Sequence, residues 1–240
     1  MLLRRGAADR QVACSLAAIA GALNAIGFFK VGLYASHMTG NISTLADHLA
    51  LGDLVPAVTY LGVIGAFIAG AAVSTLLANE GQRRGVPGVH SLSLLAEAVL
   101  LGLLAGADAW LPEVHQTALF IFGMSFLMGL QNAIVTRVSD ARIRTTHVTG
   151  MVTDIGIEVG SLIDVARRRR GRAETRVNLE RLALHGPMVA AFFSGSILGV
   201  LAYRLAGPLA LAAAALGLAA LALPGIVAAR AASPEVGEPR

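Results

Sequence analysis

Long apolar segments separated by short polar ones dominate the hydrophobic pattern of this chain. A helix needs about 20 mostly apolar residues to cross the hydrocarbon layer of a membrane. Six segments meet that length, at residues 11–29, 55–78, 91–111, 116–136, 182–203 and 207–229. The pattern therefore predicts an all-α polytopic membrane bundle of about six transmembrane helices.

Two further segments, 39–51 and 148–166, are more polar than the six spans. A helix over the first would be only about 20 Å long, which is shorter than about 30 Å of hydrocarbon. The second carries Asp154, Glu158 and Asp164, and acidic side chains are costly in lipid. Both segments predict short helices, and the sequence leaves open whether these are re-entrant or lie flat at the interface.

The distribution of basic residues favours six spans over eight, because cytoplasmic flanks collect Lys and Arg. With six spans and both termini in the cytoplasm, only Lys30 and Arg204 of the 19 basic residues are external. Eight spans would place five more arginines outside, namely Arg83, Arg84, Arg137, Arg142 and Arg144. We therefore expect a multi-pass protein of a bacterial inner membrane.

Composition supports a lipid environment, since 55% of the 240 residues are hydrophobic and 14% are charged. The net charge of +4 does not indicate nucleic acid, because the arginines flank apolar segments. Residues 166–181 predict a basic cytoplasmic loop, in which Arg167 to Arg172 would bind anionic lipid headgroups. Residues 230–240, rich in Pro and Glu, predict a disordered tail.

The two halves of the chain repeat one pattern. A small-residue span ends in Gly21-Ala22-Leu23-Asn24-Ala25 in the first half and in Gly129-Leu130-Gln131-Asn132-Ala133 in the second. These are followed by Ser36-His37-Met38-Thr39-Gly40-Asn41 and by Thr146-His147-Val148-Thr149-Gly150-Met151. A third match joins residues 66–70 to residues 191–195. The first span belongs to a repeat, so we do not expect it to be a cleaved signal peptide.

Each repeat, 11–111 and 115–229, holds three spans and one short helix in a single transmembrane domain. An odd number of crossings inverts the second copy relative to the first. Secondary transporters use this arrangement, with short or broken helices of the two halves meeting at the substrate site. The duplication therefore favours transport.

The His-Met-Thr-Gly-Asn segment from His37 to Asn41, with its degenerate second copy, resembles the bacterial YoaK family. The resemblance covers nearly the whole chain and implies a multi-pass membrane protein of unknown function. The second copy departs from the first in having Met151 where Asn41 stands.

The repeated His-x-Thr-Gly segment has the features of a helix start. Thr39 and Thr149 can cap the short helices, and Gly40 and Gly150 allow a ligand to come close. Helix N-termini attract anions. An alternative interpretation is a helix cap without any ligand.

Several other polar residues are candidates for the same site. His37 and His147, with an ordinary pKa of about 6.5, are either proton carriers or hydrogen-bonding partners of nearby backbone. Asn24 and Asn132 either contact substrate or hold helices together. Glu97 is an isolated acid within a span, so it is a coupling candidate, or it snorkels towards Arg83 and Arg84.

We therefore expect a secondary transporter or permease for a small solute, with an anion favoured. The expected substrate-binding residues are Asn24, His37, Thr39, Gly40, Asn41, Asn132, His147, Thr149 and Gly150. A channel, or a membrane protein with a structural or partner role, remains the alternative. No nucleotide, metal or catalytic motif occurs, so we expect neither a cofactor nor an enzyme. Three spans per half also make a homodimer a hypothesis.

Overall fold

The computed structural model describes residues 7–138, 145–168 and 172–231, and these residues form helices and their connections. The helices are α1 (Ala7–Val31), α2 (Met38–Leu51), α3 (Leu54–Arg83), α4 (Val89–Trp110), α5 (Glu113–Val138), α6 (Val148–Arg168), α7 (Arg172–Ala206) and α8 (Pro208–Ala231). The predicted all-α class is confirmed within the described ranges.

Six of these helices, α1, α3, α4, α5, α7 and α8, are long and apolar enough to cross a membrane. Their boundaries agree with the six predicted spans to within about five residues, except that α7 begins at Arg172, before the predicted start at residue 182. The chain is a multi-pass membrane protein with two additional helices, α2 and α6, at the predicted more polar segments.

The predicted basic loop at 166–181 is helical at both of its ends. Helix α6 continues to Arg168 and α7 begins at Arg172. Arginine is a good helix former, and a pair between Arg176 Nε and Glu180 Oε1 at 2.9 Å, one turn apart, supports the start of α7. The predicted tail lies outside the described residues from 232 onwards.

The two halves pack against each other through equivalent pairs of helices. The first helix of each half packs along the third helix of the other half, so α1 lies against α7 and α5 lies against α3. The fourth helices, α4 and α8, pack against each other. This mutual pattern is that of two inverted repeats joined in one bundle.

Glycines allow α1 and α7, and likewise α3 and α5, to contact each other backbone to backbone. A Cβ atom at Gly21 would overlap the carbonyl of Phe192, and one at Gly129 would overlap the carbonyl of Phe67. These two crossings occupy equivalent positions in the two repeats. Small residues at helix crossings are the usual means of close packing in membranes.

Each short helix packs against the first half of the long helix that follows it, α2 against α3 and α6 against α7. The ring of His48 in α2 stacks on Tyr60 of α3 with centroids 5.8 Å apart, and Glu158 Oε1 of α6 lies 2.9 Å from His185 Nδ1 of α7. The first turns of α2 and α6 lie near Phe67 and Phe192, about midway along α3 and α7. Both short helices therefore begin near the middle of the bundle's length.

The two short helices approach the middle of the bundle from opposite ends. Lys30, at the end of α1, donates from Nζ to Gln116 Oε1 near the start of α5 at 3.3 Å, so α1 and α5 run in opposite directions. Since α2 follows α1 and α6 follows α5, the short helices enter from opposite sides. This position favours the re-entrant interpretation over a helix lying flat on the surface.

Candidate functional site

The first turns of α2 and α6 open on one shared cavity with a volume of about 660 Å³. Both repeats contribute to its wall through equivalent segments. The lining residues are Asn24, Ala25, Tyr34, Ser36, His37, Met38, Thr39, Phe67, Thr146, His147, Val148, Thr149, Gly150, Phe192 and Ser196. The duplicated motif thus forms one site from its two copies.

Two buried asparagines hold the chain just before each short helix. Asn24 Oδ1 accepts hydrogen bonds from the Ser36 backbone nitrogen at 3.1 Å and from Ser36 Oγ at 2.8 Å. Asn132 Oδ1 accepts from Thr146 Oγ1 at 2.5 Å, and its Nδ2 donates to the carbonyl of Met128 at 2.7 Å. Each asparagine therefore fixes the residue that precedes the motif histidine.

The two motif histidines have different surroundings. The His37 ring lies over the first turn of α2, so that a Cβ atom at Gly40 would overlap its Cδ2 and Nε2 atoms. The ring also meets Tyr34 edge-on, with centroids 6.5 Å apart. At Gly150 an added Cβ atom would find no heavy atom within 4 Å. The cavity wall is therefore open at α6 and covered by an imidazole at α2.

The predicted capping role of Thr39 is wrong. Helix α2 begins at Met38, so Thr39 lies inside the first turn, and the N-cap residue His37 makes no capping hydrogen bond with its side chain. Thr149 is likewise the second residue of α6. Both threonines are exposed and lie in the cavity wall, so their hydroxyl groups are available to a solute.

Of the nine predicted site residues, six line the cavity: Asn24, His37, Thr39, His147, Thr149 and Gly150. Gly40, Asn41 and Asn132 are not in the lining. Asn41 is buried and its Nδ2 donates to the carbonyl of Tyr34 at 3.2 Å, which fixes the turn before α2. These three residues lie next to lining residues and do not themselves line the cavity.

Sequence reasoning missed several wall residues that the duplication itself contained. Phe67 and Phe192 are equivalent members of the third matched segment, and both line the cavity. Ser36 and Thr146 are the first residues of the repeated motif. Pairing every matched position, and not only the His, Thr and Gly positions, would have found these four.

The cavity wall has no Asp, Glu, Lys or Arg among the lining residues of the described chain. The first backbone N–H groups of a helix have no partner within that helix and carry partial positive charge. Two such ends, at Thr39 and Thr149, face the same space. The wall therefore combines hydroxyl and imidazole groups with a positive potential from the backbone.

Glu97 lies away from the cavity wall and is fully buried in α4. The snorkelling interpretation is wrong, because both arginines that it required pair instead with Glu80. Arg84 Nε lies 2.6 Å from Glu80 Oε1, and Arg83 Nη1 lies 3.9 Å from Glu80 Oε2. The carboxyl of Glu97 stays inside the bundle, where the side chain of Gln131 in α5 interacts with it.

An ion pair that the sequence did not reveal closes one end of the bundle. Lys30 Nζ in α1 pairs with Asp108 Oδ1 in α4, and Tyr203 Oη in α7 donates to Asp108 Oδ2 at 2.6 Å. The ammonium group also lies 4.8 Å from the centroid of the Phe120 ring. Four helices from both repeats meet at this cluster.

Residues 12–223 match a protein family described as "Protein of unknown function (DUF1275)". No curated protein and no solved structure matches the chain. The YoaK family is this same family of uncharacterised membrane proteins, so the resemblance seen in the sequence is confirmed. Because the match spans most of the sequence, the chain belongs to the DUF1275 family.

Proposed function

We propose that this protein is a small secondary transporter or permease and that the cavity between α2 and α6 is its solute site. One observation carries the proposal, namely that the two copies of the motif open on a single cavity midway along α3 and α7. A motif that served only to start two separate helices would not require the two starts to meet.

The inverted arrangement supports alternating access. In transporters built from inverted repeats, the site lies between the halves and each half can adopt the conformation of the other. Here α1 with α7 and α3 with α5 form equivalent interfaces on either side of the cavity. Exchange of the two conformations would open the cavity first to one side and then to the other.

The chemistry of the wall favours a small anion. Two helix N-termini add their partial positive charges at the cavity, and His37 and His147 supply further donors when protonated. The volume of about 660 Å³ is within the range of sites for small molecules, about 300–1,000 Å³. Phe67 and Phe192 provide apolar surface for the rest of the solute.

Charge asymmetry supports the orientation with both termini in the cytoplasm of a bacterial cell, and Arg167 to Arg172 would then face anionic lipid headgroups. We infer no enzymatic activity and no cofactor, since the sequence has no motif for either. A homodimer would supply further helices around a transport path of three spans per half.

The test is uptake by the full chain in liposomes, with a panel of labelled small carboxylates, phosphate and sulfate. Thr39→Val and Thr149→Val each remove one wall hydroxyl, and loss of about 1.4 kcal/mol of binding weakens affinity about tenfold. Thr59→Val is the control, because the Thr59 hydroxyl donates to the Val55 carbonyl within α3 at 3.2 Å. Unchanged uptake in both cavity variants would contradict the proposed site.

A channel could be built from the same short helices. Counterflow separates the two mechanisms, because unlabelled solute inside the liposomes accelerates entry of labelled solute only through a carrier. We expect acceleration by the wild-type chain. An entry rate that does not depend on the solute inside the liposomes would assign the protein to the channel class.

A further inference from the structure

The carboxyl of Glu97 is the most isolated acidic group in the described part of the bundle. The side chain is 0% exposed, and neither carboxyl oxygen has a hydrogen-bond partner. The side-chain amide of Gln131 in α5 lies against this carboxyl and interacts with it. A carboxyl and an amide, one from each repeat, therefore lie together inside an apolar core.

Burial of such a pair is energetically costly. Buried polar groups in native proteins are nearly always hydrogen-bonded, and an unpaired one costs about 1–3 kcal/mol. A buried carboxylate without a cation is costlier still. Acidic residues inside membrane bundles usually mark proton or ion pathways.

Several charged residues of the helices around Glu97 are engaged with other partners. Helix α4 packs against α3, α5 and α8. The charged or titratable residues of these four helices are Tyr60, Glu80, Arg83, His90, Asp108, Glu113, His115, Arg137 and Arg230. Glu80 pairs with Arg83 and Arg84, Asp108 pairs with Lys30, and Arg137 Nη1 donates to Asn79 Oδ1 at 2.8 Å. Among the described side chains, Gln131 is the polar group that interacts with the Glu97 carboxyl.

Gln131 links this carboxyl to the cavity wall. It precedes Asn132, whose Oδ1 atom accepts the hydrogen bond from Thr146, and Thr146 lines the cavity. Gln131 and Asn132 are consecutive residues of α5, so a shift of the α5 backbone at Gln131 also moves the residue that fixes the start of α6.

The pair joins the two repeats, with Glu97 in α4 of the first and Gln131 in α5 of the second. Leu23 stands in the first repeat where Gln131 stands in the second, although Asn24 and Ser36 reproduce the hydrogen bond of Asn132 and Thr146. The packing role of the motif is therefore fulfilled without the glutamine.

We propose that Glu97 is a proton-binding site that couples proton movement to the state of the cavity through Gln131 and Asn132. The carboxylate takes up one proton and becomes a neutral carboxyl, and no other bond changes. This inference rests on the proposed transport function for its role in the cycle. The proton site itself is testable without any solute.

The first experiment records the infrared carbonyl stretch of protonated carboxyl groups in the purified full-length protein. We expect a band at neutral pH that is absent in Glu97→Gln and shifted in Gln131→Leu, which introduces the residue found in the first repeat. Thr146→Val should shift the band as well. Ser36→Ala is the matched control in the first repeat and should leave the band unchanged.

Absence of the Glu97 band in a folded wild-type protein would overturn the proton site. A band that is the same in wild type, Thr146→Val and Ser36→Ala would overturn the link to the cavity. Thermal unfolding of each variant identifies any that fail to fold, and Gln131→Leu is expected to fold because Leu is accepted at the equivalent position.

The second experiment imposes a pH gradient on liposomes that contain the protein and a transported anion. We expect wild type to accumulate the anion against its gradient, and Glu97→Gln to exchange it at a similar rate but without accumulation. Gradient-driven accumulation by Glu97→Gln would overturn proton coupling while leaving the transport site intact. Failure of the transport site would instead show as uptake unaffected by Thr39→Val and Thr149→Val.

Discussion

Asn132 accepts a hydrogen bond from the hydroxyl of Thr146 across a 2.5 Å distance, and this contact joins the end of α5 to the start of α6. Its counterpart joins Asn24 to Ser36 at 2.8 Å in the first repeat. An asparagine side-chain oxygen therefore positions each short helix, and the two halves form the cavity through equivalent contacts.

This contact should be detectable as an energetic coupling. Asn132→Ala and Thr146→Val each remove one partner, and we expect the double variant to be less destabilised than the sum of the single variants by about 0.5–1.5 kcal/mol. Chemical unfolding in detergent measures the three free energies. Additive effects would show that the two side chains do not interact.

Helix crossing at Gly129 should be sensitive to a single methyl group. Because a Cβ atom there would overlap the Phe67 carbonyl, Gly129→Ala should destabilise the protein by about 1–3 kcal/mol. Gly65→Ala in α3 is the control, since an added Cβ atom has no heavy atom within 4 Å. The thermal midpoint should fall for Gly129→Ala alone, and equal midpoints would contradict the close crossing.

The ion pair of Lys30 and Asp108 should behave as a buried pair. Its side chains are only 18% and 1% exposed, so removal of one partner leaves an uncompensated charge and should cost about 3–5 kcal/mol. We expect Lys30→Met to lower the unfolding midpoint strongly and Lys30→Met with Asp108→Leu to recover much of the loss. A double variant as unstable as the sum of both single variants would argue against the pairing.

His37 should respond to a change at Gly40. An added methyl group would overlap the imidazole, so Gly40→Ala should displace the ring and alter its rate of modification by diethylpyrocarbonate. Gly150→Ala has room for the methyl group and should leave the rate at His147 unchanged. Mass spectrometry of the modified peptides measures both rates, and equal behaviour of the two variants would contradict the asymmetry.

Sequence alone predicted the elements of this fold well, because hydrophobic length and charge asymmetry decide where helices cross a membrane. The repeated motif also led to six residues of the cavity wall. It did not predict that α6 continues to Arg168 or that α7 begins at Arg172, since exposed arginines are compatible with a loop or a helix.

Long-range contacts were beyond the sequence for a different reason. Lys30 and Asp108 are 78 positions apart, and neither residue belongs to a motif. Their side chains meet only because α1 and α4 both pack against α5. The burial of Glu97 could not be predicted from the sequence either, because it depends on how the helices pack. Its position in α4 was evident, but its partner Gln131 depended on which face of α5 meets α4.

The central claim is that the first turns of α2 and α6 face one shared cavity, and cross-linking tests it most directly. On a Cys14→Ser background, Thr39→Cys and Thr149→Cys are introduced together, treated with a bifunctional methanethiosulfonate, and the chain is cut by protease between them. We predict that the two fragments remain joined, whereas Ala46→Cys with Thr149→Cys, whose first cysteine lies on α2 outside the cavity wall, gives separate fragments. Separate fragments from the Thr39 and Thr149 pair, with both cysteines labelled, would contradict the shared cavity.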